Sequence, residues 1–347
     1  EDFGKINLLL GKNNCGKTSI LEALFLIIGF TNPQLPRSIN FFRDLFLTQT
    51  DDFRFIFYQL DFNSQVRIEA EIKPDQLRTL VIKPQFSLSS PENGSQTVIS
   101  DEADVSSTLV MPSENIEKLI LNSSIKKKGQ GKPKNFRSEI SIEETTEGIK
   151  QKIKAPNNYK ESMRGFFINA DTVYKDLSPR IENIIVKKQK DVLLEPLRNI
   201  EPKIRDISFG NNGMIYVDVG YSRLMPVNLL GDGIRRMLSI LAKVLDTKDG
   251  IILLDEIENG LHYSSLKVFL KYLIRMSELQ NVQLFLTTHS KETLNNLSEI
   301  LSTEEFKKFR SDIRSFTIRK HEKDKTISYP YDFEKLEYAI EQDIEMR

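Results

Sequence analysis

The sequence has 347 residues, and its 49 Lys plus Arg are matched by 49 Asp plus Glu, so the formal net charge is zero. That length supports a sizeable core and about two domains, and the neutral balance argues against a uniformly basic nucleic-acid binder while leaving local patches open. A single cysteine excludes an internal disulfide and a cysteine-based zinc cluster, which fits a reducing compartment and a cytoplasmic protein. No apolar run approaches the roughly 18 residues of a membrane span, and no signal-peptide pattern is legible. Because the chain enters a strand almost directly from Glu1, a further strand upstream is expected.

Ile6 to Leu10 is a short continuous apolar run ending at a glycine, the pattern of a buried parallel strand. Directly after it comes Gly11-Lys12-Asn13-Asn14-Cys15-Gly16-Lys17-Thr18, and an amphipathic stretch begins at Ser19. Gly, four residues, then Gly-Lys-Thr is the spacing of a phosphate-binding loop. The glycines admit backbone conformations closed to other residues and let phosphates approach closely. Lys17 supplies charge for the β- and γ-phosphates, Thr18 offers a hydroxyl to Mg²⁺, and the helix start points its free N–H groups at the anion.

Thr31-Asn32-Pro33 should stop that helix, since proline neither continues a helix nor favours one at the preceding residue. From there to about 164 the texture changes, and residues 31–164 read as an inserted β-rich and irregular subdomain. Phe53 to Leu60 and Gln65 to Ile72 are expected to form an antiparallel hairpin, with Phe86 to Ser90 and Thr97 to Ile99 as extensions. Residues 122–137 carry Lys126, Lys127, Lys128, Lys132, Lys134 and Arg137 among Gly, Pro and Ser, and read as a mobile loop. Without interleaved aromatics the loop reads as a solvated charge run; contact with nucleic-acid phosphate is the alternative.

Core texture returns at Gly165 to Ala170, a buried strand ending in polar residues. Ser178-Pro179 should open a helix through Ile181, Ile184 and Ile185, with serine as cap, and a second follows through Leu193, Leu194 and Leu197. Ile204 to Phe209 and Met214 to Val219 have a hairpin signature across Gly210-Asn211-Asn212-Gly213. Gly231-Asp232-Gly233 leads into a helix with Leu238, Leu241 and Leu245 on its apolar face. Ile251 to Leu254 is an apolar strand ending in Asp255 and Glu256; a helix over Leu266 to Met276 follows, and Leu284 to Thr288 is another buried strand, ending at His289.

Ligands of open parallel sheets sit at the carboxyl ends of the strands, so these motifs can converge on one site. Asp255 suits a Mg²⁺-anchoring carboxylate, Glu256 can orient or deprotonate an attacking water, and His289 could contact the γ-phosphate or fix that water. Two carboxylates ending a buried strand are costly unless they serve a metal or catalysis.

The order of phosphate loop, long insertion, Gly-rich helix start, Asp-Glu strand and strand-end histidine resembles the ABC-type ATPases, in the branch shared by SMC-like and OLD-like proteins. The resemblance covers 1–30 and 165–347 and implies an α/β head with a mostly parallel core sheet flanked by helices, an antiparallel β part and the inserted β-rich subdomain. It further implies ATP and Mg²⁺ as cofactors, and hydrolysis at the interface of a head-to-tail homodimer. Leu230 to Arg236 looks like the signature motif, in which Gly231, Asp232 and Gly233 would meet the γ-phosphate held by Lys17 of a second subunit; Asp232 stands where glycine is usual. Asp255 to His262 matches the Walker B strand end and D-loop, with His262 where transporters usually carry aspartate. His289 falls at the switch histidine, and Asn169 or Asp171 would stand in for the Q-loop glutamine. The stretch from Ser328 to Arg347 resembles the end of abortive-infection ATPases found beside nucleases in anti-phage systems such as PARIS, Septu and some retrons. The implied function is therefore a nucleotide-driven dimeric switch that senses for, or regulates, a separate effector nuclease. The alternatives are an SMC-like DNA-binding ATPase of repair or maintenance and a nucleotide-binding scaffold without turnover.

Overall fold

The computed structural model describes residues 2–72, 75–86, 116–129, 131–146, 148–210, 213–321 and 325–342. Its first strand, β1 (Ile6–Leu10), is buried along its whole length because it pairs in parallel on both edges, which is why the sequence there shows no polar alternation. Asn7, the polar exception, is fully satisfied: Nδ2 donates to the carbonyls of Gly4 and Leu284 at 2.9 and 3.1 Å, and Oδ1 accepts from the Gly4 amide at 2.8 Å. After the glycine-rich loop, α1 (Lys17–Ile28) buries Leu21, Leu26, Ile27 and Ile28. Contacts divide the chain into two compact units, Glu1–Ile28 with Ser162–Arg347, and Gly29–Glu161.

The unit Gly29–Glu161 begins with α2 (Leu35–Phe42) and two 3₁₀ turns, Thr50–Ile56 and Tyr58–Leu60. β2 (Val66–Ile72), β3 (Gln76–Phe86), β4 (Ile116–Lys127), β5 (Lys134–Thr145) and β6 (Gly148–Lys154) then form an antiparallel meander in that order. The strand expected over Phe53 to Leu60 is corrected here. Asp52 Oδ2 accepts from the amides of Thr48 and Gln49 at 2.8 and 3.1 Å and starts a helical turn, and the buried rings are Phe53 and Phe57, four residues apart on one side. β2 pairs instead with β3. Phe86 ends β3, and Ser87 to Ser90 and Thr97 to Ile99 lie outside the described residues.

The stretch 122–137, expected as a mobile loop, is also corrected: Asn122 to Ile125 of β4 pairs with Lys134 to Arg137 of β5. Ser123, Ile125 and Phe136 point inward and are buried, and Ser123 Oγ donates to the Phe30 carbonyl at 2.6 Å. Lys126 and Arg137 occupy outward positions, Lys127 and Lys134 the exposed strand ends, and Lys128 and Lys132 the connecting turn, so period-two alternation underlies the charge run.

A buried pair fastens the end of this unit to its sheet. Arg78 on β3 is 2% exposed and bonds both oxygens of Glu161, at 2.9 and 3.1 Å, while its guanidinium lies 4.7 Å from the centre of the Phe30 ring. Tyr159 beside it is pushed up to about 12, chiefly by burial.

The remaining elements are β7 (Gly165–Ile168), α3 (Leu177–Val186), α4 (Lys190–Ile200), β8 (Asp206–Phe209), β9 (Ile215–Asp218), β10 (Met225–Pro226), α5 (Asp232–Asp246) and β11 (Ile251–Leu254). They continue with α6 (Tyr263–Leu279), β12 (Gln283–Thr288), α7 (Lys291–Ser302), β13 (Ile313–Lys320), β14 (Thr326–Tyr331) and α8 (Phe333–Glu341). α3 starts at Leu177 after Asp176, so Ser178 lies inside its first turn and is not its cap. β8 and β9 form the expected hairpin, extended by β10 into a three-stranded antiparallel sheet.

The main sheet has the order β14-β13-β1-β12-β11-β7, all parallel except β14, and helices flank it: a mixed α/β fold. Alternation along the strands serves two layers. Leu8, Leu10, Ile252, Leu254, Leu284 and Leu286 enter one cluster with the buried faces of α3 to α8, whereas Phe167 of the other set meets Phe25 of α1, ring centres 6.1 Å apart. Among the described residues no helix is long and apolar enough to cross a membrane.

Removing Arg78 leaves the Glu161 carboxylate half-buried without its charge partner. Arg78→Ala should therefore destabilise the unit Gly29–Glu161 by about 3 kcal/mol, read as faster hydrogen exchange across β3 and β4 and a lower urea midpoint. Unchanged exchange there would mean that the pair does not hold the unit together.

Candidate functional site

The loop between β1 and α1 is shaped by residues that tolerate positive φ: Gly11 at 151°, Asn14 at 62° and Gly16 at 97°. A Cβ on Gly11 would also stand 2.6 Å from both Cys15 Sγ and the Ile318 carbonyl oxygen, so only glycine fits. Cys15 is buried under the loop. Lys12, Asn13 and Asn14 are exposed on its rim, and Thr18 and Ser19 are exposed on the first turn of α1. Lys17 is 9% exposed, and its Nζ donates to the carbonyls of Gly11 and Lys12 at 2.8 and 3.0 Å. The ammonium is thus drawn over the loop, where an anion would compete with two neutral carbonyls for it.

Asp255 and Glu256 follow β11 directly. Asp255 Oδ2 accepts from Thr18 Oγ1 at 2.9 Å, and Oδ1 accepts from Thr287 Oγ1 at 2.5 Å. The same Thr287 hydroxyl accepts from the Glu256 amide at 2.8 Å. Register makes this possible: β12 lies between β1 and β11, with Thr287 opposite Leu9 and Leu286 opposite Leu254, so Thr287 stands level with the residue after β11. Glu256 has φ of +50°, a left-handed conformation that costs a non-glycine residue on the order of 1 kcal/mol. It is held from both sides, by Thr287 at its amide and by Arg236 Nη2 at its carbonyl, 3.2 Å away. Its carboxylate is exposed.

Mg²⁺ is bound through one or two protein oxygens together with phosphates and waters, so the test of fit is a hydroxyl and a carboxylate facing one another beside the phosphate loop. Thr18 and Asp255 meet it. Among the described residues no group of three or more His, Cys, Asp or Glu could hold a metal unaided.

His289, one residue beyond β12, is tied to Glu258: its backbone amide donates to Glu258 Oε1 at 2.9 Å and its Nδ1 lies 3.1 Å from the same oxygen. The imidazole is 47% exposed, and Glu258 Oε2 is buried and meets no partner among the described residues. His262 caps α6, its Nδ1 accepting from the Ser264 amide at 3.4 Å, a role that an aspartate could also fill. Asn169 Oδ1 is engaged by the amide and hydroxyl of Thr172, both at 2.9 Å, closing a turn after β7.

Gly231 precedes α5, and Asp232 and Gly233 are its first residues. A Cβ on Gly233 would meet the Gly260 carbonyl oxygen at 3.0 Å, which requires a small residue. Gly231 differs: its φ is −54°, and a Cβ there would meet no described atom within 4 Å. Asp232 Oδ1 accepts from Tyr174 Oη at 2.7 Å and from Arg235 Nη2 at 2.8 Å; these bonds, Tyr174's first, hold its carboxyl below the usual carboxylate range. The Arg235 guanidinium lies 4.0 Å from the centre of the Tyr174 ring. Arg236 is 4% exposed, and burial lowers its pKa below the ordinary arginine value.

The chain therefore brings Lys17, Thr18, Asp255 and Glu256 to the carboxyl ends of the central strands β1 and β11, with His289 at the end of β12 between them, and leaves Gly231 and Asp232 exposed. Thr287, Glu258 and Tyr174 were not singled out from the sequence. A hydroxyl at the polar end of an otherwise apolar strand was the available signal for Thr287.

Several known proteins are similar to this chain. A Helicobacter pylori protein named ATP/GTP phosphatase is 25% identical over 356 residues, covering 98% of this chain and 93% of its own length. The Smc head domain of Pyrococcus furiosus, solved with an extended coiled coil and bound to the C-terminal domain of ScpA, is 9% identical, with 98% and 94% of the two chains covered and a TM-score of 0.46. The SMC head domain from Thermotoga maritima is 10% identical, with 96% and 92% covered and a TM-score of 0.40. The family described as AAA domain, putative AbiEii toxin, Type IV TA system matches residues 6–295, from the first core strand through the phosphate loop, Asp255 and His289, and the chain belongs to that family.

Proposed function

We propose that the chain is a Mg²⁺-dependent ATPase of ABC type that works as a nucleotide-driven dimeric switch. The observation that carries this reading is the hydrogen-bonded line from Thr18 through Asp255 and Thr287 to the Glu256 amide, set beside the loop that Lys17 caps. Lys17 and the loop amides bind the β- and γ-phosphates, and Thr18 and Asp255 hold Mg²⁺, which when bound neutralises phosphate charge. Glu256, with an exposed carboxylate on a fixed backbone, takes the proton of the attacking water, and His289 contacts the γ-phosphate or fixes that water. The name of the Helicobacter pylori relative supports nucleotide hydrolysis and adds GTP as a candidate substrate.

Gly231 supports the composite site. Neither its φ nor packing among the described residues calls for glycine, and close approach by a ligand would account for it. In the head-to-tail homodimer that ligand is the γ-phosphate on the second subunit. Asp232, beside it, has its charge engaged by Arg235 and Tyr174 and so repels the phosphate less than a free carboxylate would. The matching family's description names a putative AbiEii toxin and a Type IV TA system; in the role proposed here, in anti-phage defence, the switch senses for or regulates a separate effector such as a nuclease. An SMC-like DNA-binding role is the alternative; a long coiled-coil arm would favour it, and the described part of the inserted unit holds an antiparallel sheet and one α-helix of 8 residues, α2.

Glu256→Gln should bind ATP normally, turn over at least about 100-fold more slowly and accumulate as a dimer with Mg-ATP, measured by phosphate release and light scattering. Lys17→Ala should lose ATP affinity by about tenfold or more, and it should also lose any protection against phage given by the chain together with the products of its neighbouring genes. Glu256→Gln turnover equal to wild type would remove Glu256 as the base, and protection retained by Lys17→Ala would separate the nucleotide from defence.

Thr287→Val keeps the shape of the side chain while leaving Asp255 Oδ1 and the Glu256 amide without their shared partner. It should cost about 2 kcal/mol of stability and lower kcat more than ATP affinity, because it frees the backbone that aims Glu256. An unchanged kcat in a folded Thr287→Val chain would show that the hydroxyl does not position Glu256.

A further inference from the structure

The sheet order separates the two sides of the phosphate loop. Thr18, Asp255 and Thr287 lie on the side of β12 and β11, and β13 is the neighbour of β1 on the other side. A triphosphate whose terminal end lies at Thr18 and Asp255 has the side of β13 free for its nucleoside end. On that side an open depression of about 350 Å³ is lined by loop residues 12–15 and by Ile318, Arg319 and Lys320 at the end of β13. Its volume falls in the range of small-ligand sites, roughly 300–1,000 Å³. The wall is in direct contact with the loop: a Cβ on Gly11 would strike the Ile318 carbonyl, and one on Gly16 would come within 3.9 Å of Thr326 Oγ1, where β14 starts.

From this placement we infer that the end of β13 and the rim of the phosphate loop form the nucleoside subsite, with Arg319 against the base; the inference rests on the nucleotide-binding reading above. Among the described residues the lining carries three cationic side chains and two amides, and neither a carboxylate nor an aromatic ring. Such a wall holds a purine by its electron-rich face and its N7, an acceptor common to adenine and guanine, and offers the Asn13 and Asn14 amides to the ribose hydroxyls. The Arg319 guanidinium is steadied by Tyr329, whose ring centre is 5.9 Å away across the β13–β14 pair. Neither contact separates the two purines, so ATP and GTP bind with similar affinity.

The test compares three probes, Mg-ATP, Mg-GTP and Mg-tripolyphosphate, by calorimetry on the wild-type chain and on Arg319→Ala. Arg319 is exposed, so the substitution leaves the core intact, and circular dichroism checks the fold. Arg319→Ala should weaken ATP and GTP by about tenfold and leave tripolyphosphate unchanged. Labelling with 8-azido-ATP supplies a second readout: the modified peptide should contain 318–320 or 12–15. Unaltered ATP affinity in Arg319→Ala, an equal loss for tripolyphosphate, or labelling confined to other peptides would overturn the subsite while leaving nucleotide binding in place. A wild-type chain that binds neither ATP nor tripolyphosphate would overturn both readings.

Discussion

The candidate site depends on one buried hydroxyl. Thr287 has no solvent exposure, and its oxygen makes two bonds at once, donating to Asp255 and accepting from the Glu256 amide. Because Asp255 turns its other oxygen to Thr18, a single line of hydrogen bonds joins the ends of β12 and β11 to the first turn of α1. Side chains on three separate elements are thereby fixed relative to one another without a ligand, the preorganisation an electrostatic site needs. The same hydroxyl holds the amide of Glu256 in its left-handed conformation, so the strain sits at the residue proposed as the base.

α5 carries this arrangement back into the body of the fold. Arg236, Ser239 and Lys243 are all buried at helical spacing, and each donates to a main-chain carbonyl: Arg236 to Glu256, Ser239 to Val173 and Lys243 to Thr172, the last at 3.1 Å. Burial pushes the Lys243 pKa down to about 8. One helix that begins at Gly231 to Gly233 thus also grips the backbone at Glu256 and the turn after β7. A change at its exposed start would be felt at both places, since these buried groups have no water to turn to.

The loop was legible from the spacing of Gly11, Gly16, Lys17 and Thr18, and the core strands because each is a short apolar run that stops abruptly at glycine or at polar residues, the parallel sheet burying both faces of Ile6 to Leu10, Ile251 to Leu254 and Leu284 to Thr288. Phe53 to Leu60 misled because its aromatic residues fit period two as well as a helical turn, and the Asp52 hydrogen bonds decided between them. Residues 122–137 misled because charge and glycine masked the alternation of Ser123, Ile125 and Phe136. Thr287 and Glu258 lay within stretches already singled out, but their roles come from register and from the turn after β11, which a single sequence does not encode locally. Likewise β13 forms the wall beside the loop although more than 300 residues separate them, and no local signal announces that contact.

The composite site is tested most directly by mixing two chains that are each inactive, Lys17→Ala and Gly231→Arg. A mixed dimer pairs the intact loop of the Gly231→Arg chain with the intact α5 start of the Lys17→Ala chain, giving one whole site. Random pairing then predicts recovery of up to roughly a quarter of wild-type ATPase activity, together with ATP-dependent association of the two chains by light scattering. If the mixture neither hydrolyses ATP nor associates with it beyond what each chain does alone, Gly231 does not act on the partner's nucleotide and the composite site is contradicted.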